Sequence, residues 1–361
     1  MDINIIKRFQ GIALEKDFAK FKYGTLNKLD QWSCIASAMD WITVSVEHIN
    51  SISVDYRKNM SSIEVYAFIS AIDIIVEAVQ QLHRVIHNKK AALYGKDRDI
   101  FKDNKLNQND LEYFKTLRSC FGAHPVNLKE PGFENKEEKR RFASWSTNPY
   151  ENETYCVILY SNQHTENWIP LTISLSQILL FGSKYYEYID NLSESLKKQY
   201  DEFASEKITK QIPTPKSIVE HLDILLEESK SRLDSVVYRS ILKELKIYFE
   251  TEITSEDNAE LVDKYRKDLV PLISEIHEHL QNMDFSDLKH ENLLYPESKE
   301  LPTGWEYWKN ELVEHVFNTE AAPFIWESKI KKLFDAYAKM EYSSYEELLL
   351  LVKASAHSVR A

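Results

Sequence analysis

The chain of 361 residues has few glycines and cysteines, and it contains no long apolar run free of charged residues. Its 7 glycines form neither a Walker-type loop nor a glycine-rich dinucleotide fingerprint, which argues against phosphate-cradling ATPase and Rossmann chemistry. Cys34, Cys120 and Cys156 form no paired motif and no zinc spacing, so free thiols in a reducing compartment are the simplest interpretation. Residues 1–22 do not resemble a signal peptide and no segment is suited to crossing a bilayer, so we expect a cytoplasmic protein without membrane contact.

The formal charge of −12 argues against a protein that coats nucleic acid nonspecifically, because such binding relies on many phosphate contacts. The charge is uneven along the chain, however. Between Arg84 and Arg141, 14 Lys and Arg stand against 9 Asp and Glu, a balance of +5 that leaves −17 for the remainder. The positive stretch contains Arg118 and His124, the pair on which the functional hypothesis rests.

Apolar residues at three- and four-residue spacing predict four helices in the first 210 residues. They cover about 27–50, a segment capped by Ser61 or Ser62 and ending near Ile86, about 109–121, and about 176–206. Between the third and fourth helices, segments 142–147, 154–161 and 168–174 are rich in aromatic and β-branched residues, which predicts a small antiparallel sheet. Residues 95–108 have little apolar periodicity and are expected to form a loop or to be partly disordered.

Two closely spaced prolines in the segment Gln211-Ile-Pro-Thr-Pro215 predict a linker. Beyond it, residues 216–361 show helical periodicity almost throughout, with Pro271 expected to begin a new helix or to kink one. The sequence therefore predicts a mainly α protein in three parts. These are an N-terminal extension at 1–26, a four-helix domain at 27–210 with a β insertion at about 141–174, and a second, all-helical domain at 216–361.

The chemistry is concentrated at the end of the third helix, where an arginine, five intervening residues and a histidine precede a proline: Arg118-Ser-Cys-Phe-Gly-Ala-His124-Pro125. Gly122 favours termination of the helix, and proline pushes the residue before it out of the helical conformation. His124 is therefore expected on a turn, where Arg118 and His124 can converge. The alternative is structural: an arginine near a helix C-terminus complements the helix dipole, and a His-Pro pair caps a turn.

The order of four helices, with this Arg and His near the end of the third, resembles the HEPN superfamily over about residues 27–206. In many members of that family the residue after the arginine is Asn, Asp or His, whereas here it is Ser119. Some toxin subfamilies carry a tyrosine two residues after the histidine, where this chain has Val126. The resemblance implies a HEPN-like four-helix bundle and a metal-independent endoribonuclease, of the kind found in toxin, abortive-infection and antiviral defence systems of bacteria.

The proposed reaction suits these two side chains. RNA supplies its own nucleophile, the 2′-hydroxyl, so cleavage requires proton transfer, which histidine can perform near neutral pH. Arginine stays charged and presents a planar fork of donors to phosphate oxygens. The resemblance further implies a homodimer with a composite active site and no metal or cofactor. A regulatory or neutralising protein partner is a further expectation. The competing hypothesis is a noncatalytic HEPN-like dimerisation, scaffold or sensor protein.

Several polar residues are candidates to support this site. The hydroxyl of Ser119 can replace part of an amide's hydrogen bonding, and Asp73 and Glu77 can orient Arg118 if the second and third helices pack together. A solvated polar face is the alternative for the two acids. Candidate RNA-binding residues flank the pair on its C-terminal side: Lys129, Lys139, Arg140 and Arg141. With acids interleaved among them, this stretch is alternatively a plain polar loop.

Two further groups of side chains have alternative roles. His83 and His87 have a helical spacing that can hold zinc, but no third ligand follows at a diagnostic offset, so a surface or interface pair is the favoured interpretation. Aromatic residues are concentrated between Trp305 and Trp326, where stacking on bases is one use and core packing or a partner surface the other.

Overall fold

The computed structural model is mainly α-helical with one small antiparallel sheet, as the sequence predicts. The chain divides into two compact units, unit 1 at Met1–Tyr200 and unit 2 at Asp201–Ala361. None of the helices that the structure describes is long and apolar enough to cross a membrane. The structure describes residues 1–24, 29–102, 104, 106–123, 125–126, 128–129, 140–146, 154–162, 167–233, 236–295, 305–317, 327–334 and 338–360.

Two helices of unit 1 begin where the sequence supplies a capping box. The Ser61 hydroxyl accepts the backbone N–H of Glu64 while the Glu64 carboxylate accepts that of Ser61, and Asn109 and Glu112 repeat this capping box before the sixth helix. The helices are α1 Ile3–Leu14, α2 Phe18–Gly24, α3 Trp32–Ser51, α4 Val54–Arg57, α5 Ser62–His87, α6 Asp110–Arg118, α7 Leu175–Glu187 and α8 Ile189–Thr209, the last of which continues into unit 2.

Helix α5 is the centre of the unit 1 core, because it packs against both α3 and α7. Its apolar stripe is fully buried, and Gly182 of α7 allows the backbone of that helix to approach it closely. A Cβ at Gly182 would lie 2.6 Å from Ile72 Cδ1. The close contact holds α5 firmly, and α5 is the helix that carries Asp73 and Glu77.

The sheet has four antiparallel strands in the order β1-β2-β3-β4, one more than the sequence predicts. The strands are β1 Leu128–Lys129, β2 Arg140–Trp145, β3 Thr154–Ser161 and β4 Ile169–Ser174. Register is set by pairs such as Ala143 with Leu159 and Val157 with Leu171. The hydroxyl of Tyr155 ties the sheet to the helices, since it donates to Arg57 O at 2.6 Å and accepts from Met60 N at 2.8 Å.

Unit 1 differs from the expected division in two places. Residues 1–24 belong to its core rather than forming an extension, because Ile6 and Phe9 of α1 are fully buried. The long helix expected at 176–206 is interrupted at Tyr188, which separates α7 from α8. The Tyr188 hydroxyl lies 2.8 Å from His83 Nδ1 on α5, so a tertiary contact accompanies the break.

The described residues before α6 are bound to that helix and to α7. The buried carboxylate of Asp110 accepts the backbone N–H groups of Asp99, Ile100 and Phe101 at 2.8–3.1 Å. Lys184 of α7 adds an ion pair with Asp97. A carboxylate that accepts several N–H groups fixes the chain around it. This polar segment therefore anchors the start of the helix that ends at Arg118.

Unit 2 consists of helices around an aliphatic core. Its helices after α8 are α9 Ile218–Arg232, α10 Val236–Glu250, α11 Ala259–Asn282, α12 Glu291–Leu294, α13 Trp305–Phe317, α14 Glu327–Phe334 and α15 Tyr345–Arg360. Pro271 lies within α11, which continues through it, so it does not begin a new helix. The expected linker at 211–215 has no helix, but Ile212 is buried and its N–H donates to Gln281 Oε1 at 2.8 Å, so this segment packs within unit 2.

Arg232 is the largest fully buried side chain, and it joins the ends of two helices. Its guanidinium donates to Lys207 O at 2.9 Å and Lys210 O at 2.7 Å at the end of α8, and to Leu280 O at 3.1 Å near the end of α11. Its Nε also pairs with Glu228 at 2.9 Å. The last carbonyls of a helix have no partner within the helix, so this arginine satisfies acceptors that would otherwise be orphaned.

Candidate active site

Arg118 is the last residue of α6, and an acid from the neighbouring helix holds it in place. Its Nε lies 3.0 Å from Asp73 Oδ2 of α5. The Asp73 side chain is 11% exposed, whereas that of Arg118 is 44% exposed. No residue that the structure describes accepts a hydrogen bond from the two terminal nitrogens of Arg118. The guanidinium is therefore oriented on one edge and open on the other.

The environment of Asp73 combines burial with opposing charges. Burial raises the pKa of Asp73, the positive charge of Arg118 lowers it in part, and the negative charge of Glu77 raises it further. The net shift is upward. Burial therefore opposes the ionised form of Asp73 that pairs with Arg118. Perturbed pKa values of this kind are common at functional sites.

Glu77 does not reach Arg118. It pairs instead with Lys115, at 3.3 Å between Lys115 Nζ and Glu77 Oε1, and both side chains are about half exposed. An exposed pair of this kind contributes at most about 1 kcal/mol to stability. Asp73 therefore contacts Arg118, whereas Glu77, one helical turn further along α5, contacts Lys115.

The segment after Arg118 leaves α6 through a π-helical turn, Ser119–Ala123. The Ser119 hydroxyl donates to Lys115 O at 3.0 Å within the helix, so its proton is not directed at Arg118. Phe121 is buried and makes an edge-to-face contact with Trp145 of β2, with ring centroids 5.3 Å apart. Burial raises the pKa of the Cys120 thiol to about 12, so this thiol stays protonated at neutral pH.

Gly122 permits a close approach between this turn and α5. A Cβ at Gly122 would lie 2.0 Å from Tyr66 Cδ2, a distance that no side chain can occupy. His124 lies outside the described residues, but both of its neighbours are described. Ala123 ends the turn, and Pro125 O accepts the backbone N–H of Ala143 in β2 at 2.7 Å. The chain on either side of His124 is thus attached to α6 and to the sheet.

The expected RNA-binding residues are distributed differently from the prediction. Arg141 is only 7% exposed, and its guanidinium donates to Asn167 O at 3.4 Å, so little of this side chain is open to a phosphate. Arg140 is partly exposed on β2, where its backbone N–H donates to Asn162 Oδ1 at 3.0 Å. The backbone of Lys129 forms β1, while its side chain and the whole of Lys139 lie outside the described residues.

A groove between α3 and α5 runs beside the Asp73 pair, and the sequence did not predict it. It has a volume of about 350 Å³ and is lined by Cys34, Trp41, Asp73, Glu77 and Gln81, among others. Trp41 is largely exposed, and Gln81 Oε1 is buried with no hydrogen-bond partner in the part of the chain that is described. In the sequence Trp41 stands next to Asp40, off the apolar stripe of α3, which marks an exposed tryptophan but not a groove.

The two histidines of α5 and the aromatic residues of unit 2 do not belong to this site. His83 and His87 have ring centroids 5.1 Å apart, and the nearest group to His83 Nδ1 is the Tyr188 hydroxyl. Within the described ranges, no three His, Cys, Asp or Glu side chains are grouped so as to hold a metal ion. In the aromatic stretch of unit 2, Tyr307 and Phe317 are exposed, while the side chains of Trp305, Trp308 and Trp326 lie outside the described set.

Comparison with protein-family models, with curated proteins and with solved structures gave no match to this chain. A function must therefore be inferred from the residues themselves.

Proposed function

We propose that unit 1 is a HEPN-like, metal-independent endoribonuclease in which Arg118 binds the scissile phosphate and His124 transfers protons. The observation that supports this most is that the Arg118 guanidinium is held on one edge and exposed on the other. A buried carboxylate fixes its Nε at 3.0 Å, and its terminal nitrogens are left for another acceptor. Arginine presents these donors in a fork that matches phosphate oxygens, so a fixed and half-exposed guanidinium is suited to an anionic substrate.

In the proposed reaction the 2′-oxygen of a ribose attacks the adjacent phosphorus, and the bond from phosphorus to the 5′-oxygen breaks. One imidazole takes the proton from the 2′-hydroxyl, and an imidazolium gives a proton to the departing 5′-oxygen. The products are a 2′,3′-cyclic phosphate and a 5′-hydroxyl. Arg118 stabilises the negative charge that develops on the phosphate oxygens.

Two copies of the pair in a homodimer would supply the two protonation states, as the family resemblance implies. Size-exclusion chromatography with light scattering tests this part separately, and a strict monomer at high concentration that still cleaves RNA would contradict it. The setting proposed from the same resemblance is the cytoplasm of a bacterium, in antiviral defence or a toxin system, with a protein partner that restrains the enzyme.

The central test is cleavage of tRNA and total RNA by the purified full chain in EDTA, with analysis of the product ends. We expect Arg118→Ala and His124→Ala to abolish the cleavage. Lys115→Ala is the matched control, because Lys115 is an exposed cation of the same helix whose partner is Glu77. Its activity should stay within about twofold of the parent, since an exposed pair contributes little.

Asp73→Asn separates positioning from stability. Loss of the ion pair frees the guanidinium, and a displacement of about 1 Å at such a site costs roughly 100-fold in rate. Because the pKa of Asp73 is raised, burial opposes its ionisation more than its partners favour it, so the melting temperature at neutral pH should not fall.

The noncatalytic alternative makes the opposite prediction. A scaffold would give no cleavage by the parent under any condition, while all four variants keep the parent's melting temperature. Cleavage that persists unchanged in Arg118→Ala and His124→Ala would instead show a contaminating ribonuclease, and the proposal would fail.

A further inference from the structure

Unit 2 contains a cavity that is separate from the site around Arg118. Its volume is about 480 Å³, within the range of small-molecule sites. It lies between α10, α13 and the residue that follows α12. Its lining includes Arg239, Lys243, Glu244, Tyr295, Val313 and Phe317.

The floor of the cavity is a buried polar network whose charges cancel. Glu244 is 3% exposed, and its Oε1 lies 2.9 Å from Nζ of Lys353, a lysine with no exposed surface. Tyr295 donates to Glu244 Oε2 at 2.9 Å, and Tyr248 donates to Oε1. Burial and then the charge of Glu244 raise the pKa of Tyr295, so its hydroxyl stays protonated and remains a donor. A carboxylate with these partners repels an incoming anion only weakly.

The rim of the cavity is positive, although unit 2 is acidic. Residues 201–361 contain 20 Lys and Arg against 32 Asp and Glu, a balance of −12 that equals the charge of the whole chain. Arg239 and Lys243, one turn apart on α10, both line the cavity. Lys243 is exposed, and no carboxylate among the described residues forms an ion pair with it. Its ammonium is available to an anion.

The wall opposite α10 is apolar. Val313 and Phe317 come from α13, and Phe317 is among the exposed large hydrophobic residues. The hydroxyl of Tyr295 is engaged by Glu244, so this residue offers mainly its ring surface to a ligand. An aromatic wall beside a cationic rim suits a ligand with a flat apolar body and a negative group at one end.

We propose that this cavity of unit 2 binds a small organic anion with an aromatic body, its acid group at Lys243 and its ring against Val313, Phe317 and Tyr295. The proposal does not depend on the ribonuclease hypothesis, since none of these residues belongs to unit 1.

The test is a fluorescence titration of the full chain with 8-anilinonaphthalene-1-sulfonate, an aromatic sulfonate. Saturable binding at one site is expected, and Lys243→Ala should weaken it by roughly tenfold, the effect of one charge-assisted contact. Lys267→Ala is the matched control, because Lys267 is an exposed lysine that does not line the cavity. Its dissociation constant should equal that of the parent.

Two further arms address the apolar wall and the charge. Val313→Trp fills the cavity and should abolish binding of the sulfonate probe. The uncharged N-phenyl-1-naphthylamine should bind to the parent at least roughly tenfold more weakly than the sulfonate. Its affinity should be unchanged by Lys243→Ala. Displacement of the probe by AMP identifies a phosphate as the preferred acid group, and displacement by 1-naphthoate identifies a carboxylate. Inorganic phosphate alone, which has no apolar body, should not displace it.

Circular dichroism of each variant establishes that the fold is retained. Equal probe binding by the parent, Lys243→Ala and Val313→Trp would overturn the proposal, because it would show nonspecific adsorption. Equal affinity for the charged and uncharged probes would overturn it as well.

Discussion

Replacement of Arg232 by methionine tests the packing of unit 2 most directly. Methionine keeps much of the apolar stem of the arginine but removes all of its donors. The carbonyls of Lys207, Lys210 and Leu280 lose their guanidinium partner, and the Glu228 carboxylate loses its closer cation and keeps Lys210 at 3.4 Å. We expect the substitution to lower the free energy of unfolding of unit 2 without changing the fold.

The magnitude follows from the burial. Leaving a buried acceptor without a partner costs about 1–3 kcal/mol, and removal of one member of a buried ion pair costs about 3–5 kcal/mol. Part of the loss is recovered because water reaches the ends of helices, and Glu228 keeps some exposure. We therefore expect a loss of about 4 kcal/mol, which corresponds to roughly a 700-fold increase in the population of the unfolded unit.

Native-state hydrogen exchange read by mass spectrometry reports this loss unit by unit in the full chain. Amides of α9 and α11 that exchange through unfolding of unit 2 should exchange several hundred times faster, while those of α3 and α5 keep their rates. Lys230→Ala is the control on the same helix. Lys230 pairs with Glu227 at 2.7 Å, but both side chains are more than half exposed, so its loss should cost less than about 1 kcal/mol. If Arg232→Met costs no more than this control, Arg232 does not hold the helix ends together.

Two other predictions concern single positions. Gly122→Ala places a Cβ 2.0 Å from Tyr66 Cδ2, so overpacking should lower the free energy of unfolding, measured by urea denaturation, by about 1–3 kcal/mol. Gly11→Ala lies in a helix with open space around it and should raise the free energy of unfolding by about 0.5–1 kcal/mol. Equal effects of the two substitutions would refute the steric argument. His221 and His277 have ring nitrogens 2.9 Å apart, and burial lowers the pKa of both. The neutral pair therefore stabilises unit 2 at pH values above the ordinary histidine pKa, and this stability is lost as the pH falls through the lowered pKa values. His221→Gln should therefore make the hydrogen-exchange stability of unit 2 less dependent on pH below about 6.5, and an unchanged slope would contradict the assignment.

Local signals predicted most of the helices because those signals are short-range. The apolar stripe of α5 and the Ser61 cap require only residues three or four positions apart, and both are found in the structure. The break at Tyr188 could not be predicted in this way. Its apolar neighbours continue the helical period, and the partner of its hydroxyl, His83, lies far away in the sequence. Tertiary contacts override periodicity at such positions.

The burial of Arg141 has a similar cause. In β2 the alternation of faces places Arg141 inward and Phe142 outward, the reverse of what hydrophobicity alone predicts. The register pairs Arg141 with Leu128 and Ser161, and its guanidinium contacts Asn167 O. A shift of one residue along a strand exchanges its two faces, so a basic run in a strand cannot be assigned to the surface without the register.

The candidate site could be predicted only in part, because one of its contacts depends on how two helices pack. Arg118 lies at the end of its helix, as the spacing indicates, and the choice of Asp73 rather than Glu77 as its partner follows from the packing of α5 on α6. Both acids lie on one helix face, and only the rotation of that helix decides which of them reaches the arginine. The groove lined by Trp41 depends on two helices at once and is beyond any single-helix pattern.

Four cations of this protein differ in how completely their own chain satisfies their donors. Each nitrogen of the Arg232 guanidinium donates within its own chain, Lys353 is enclosed by Glu244, Leu294 O and the Tyr295 ring, and neither side chain has exposed surface for a ligand to reach. Arg118 is held by one carboxylate on one edge only, and Lys243 has no carboxylate partner among the described residues. A cation that is positioned but incompletely satisfied retains affinity for an anion, because its remaining donors exchange only water for the ligand. The proposals for Arg118 in unit 1 and Lys243 in unit 2 rest on this difference.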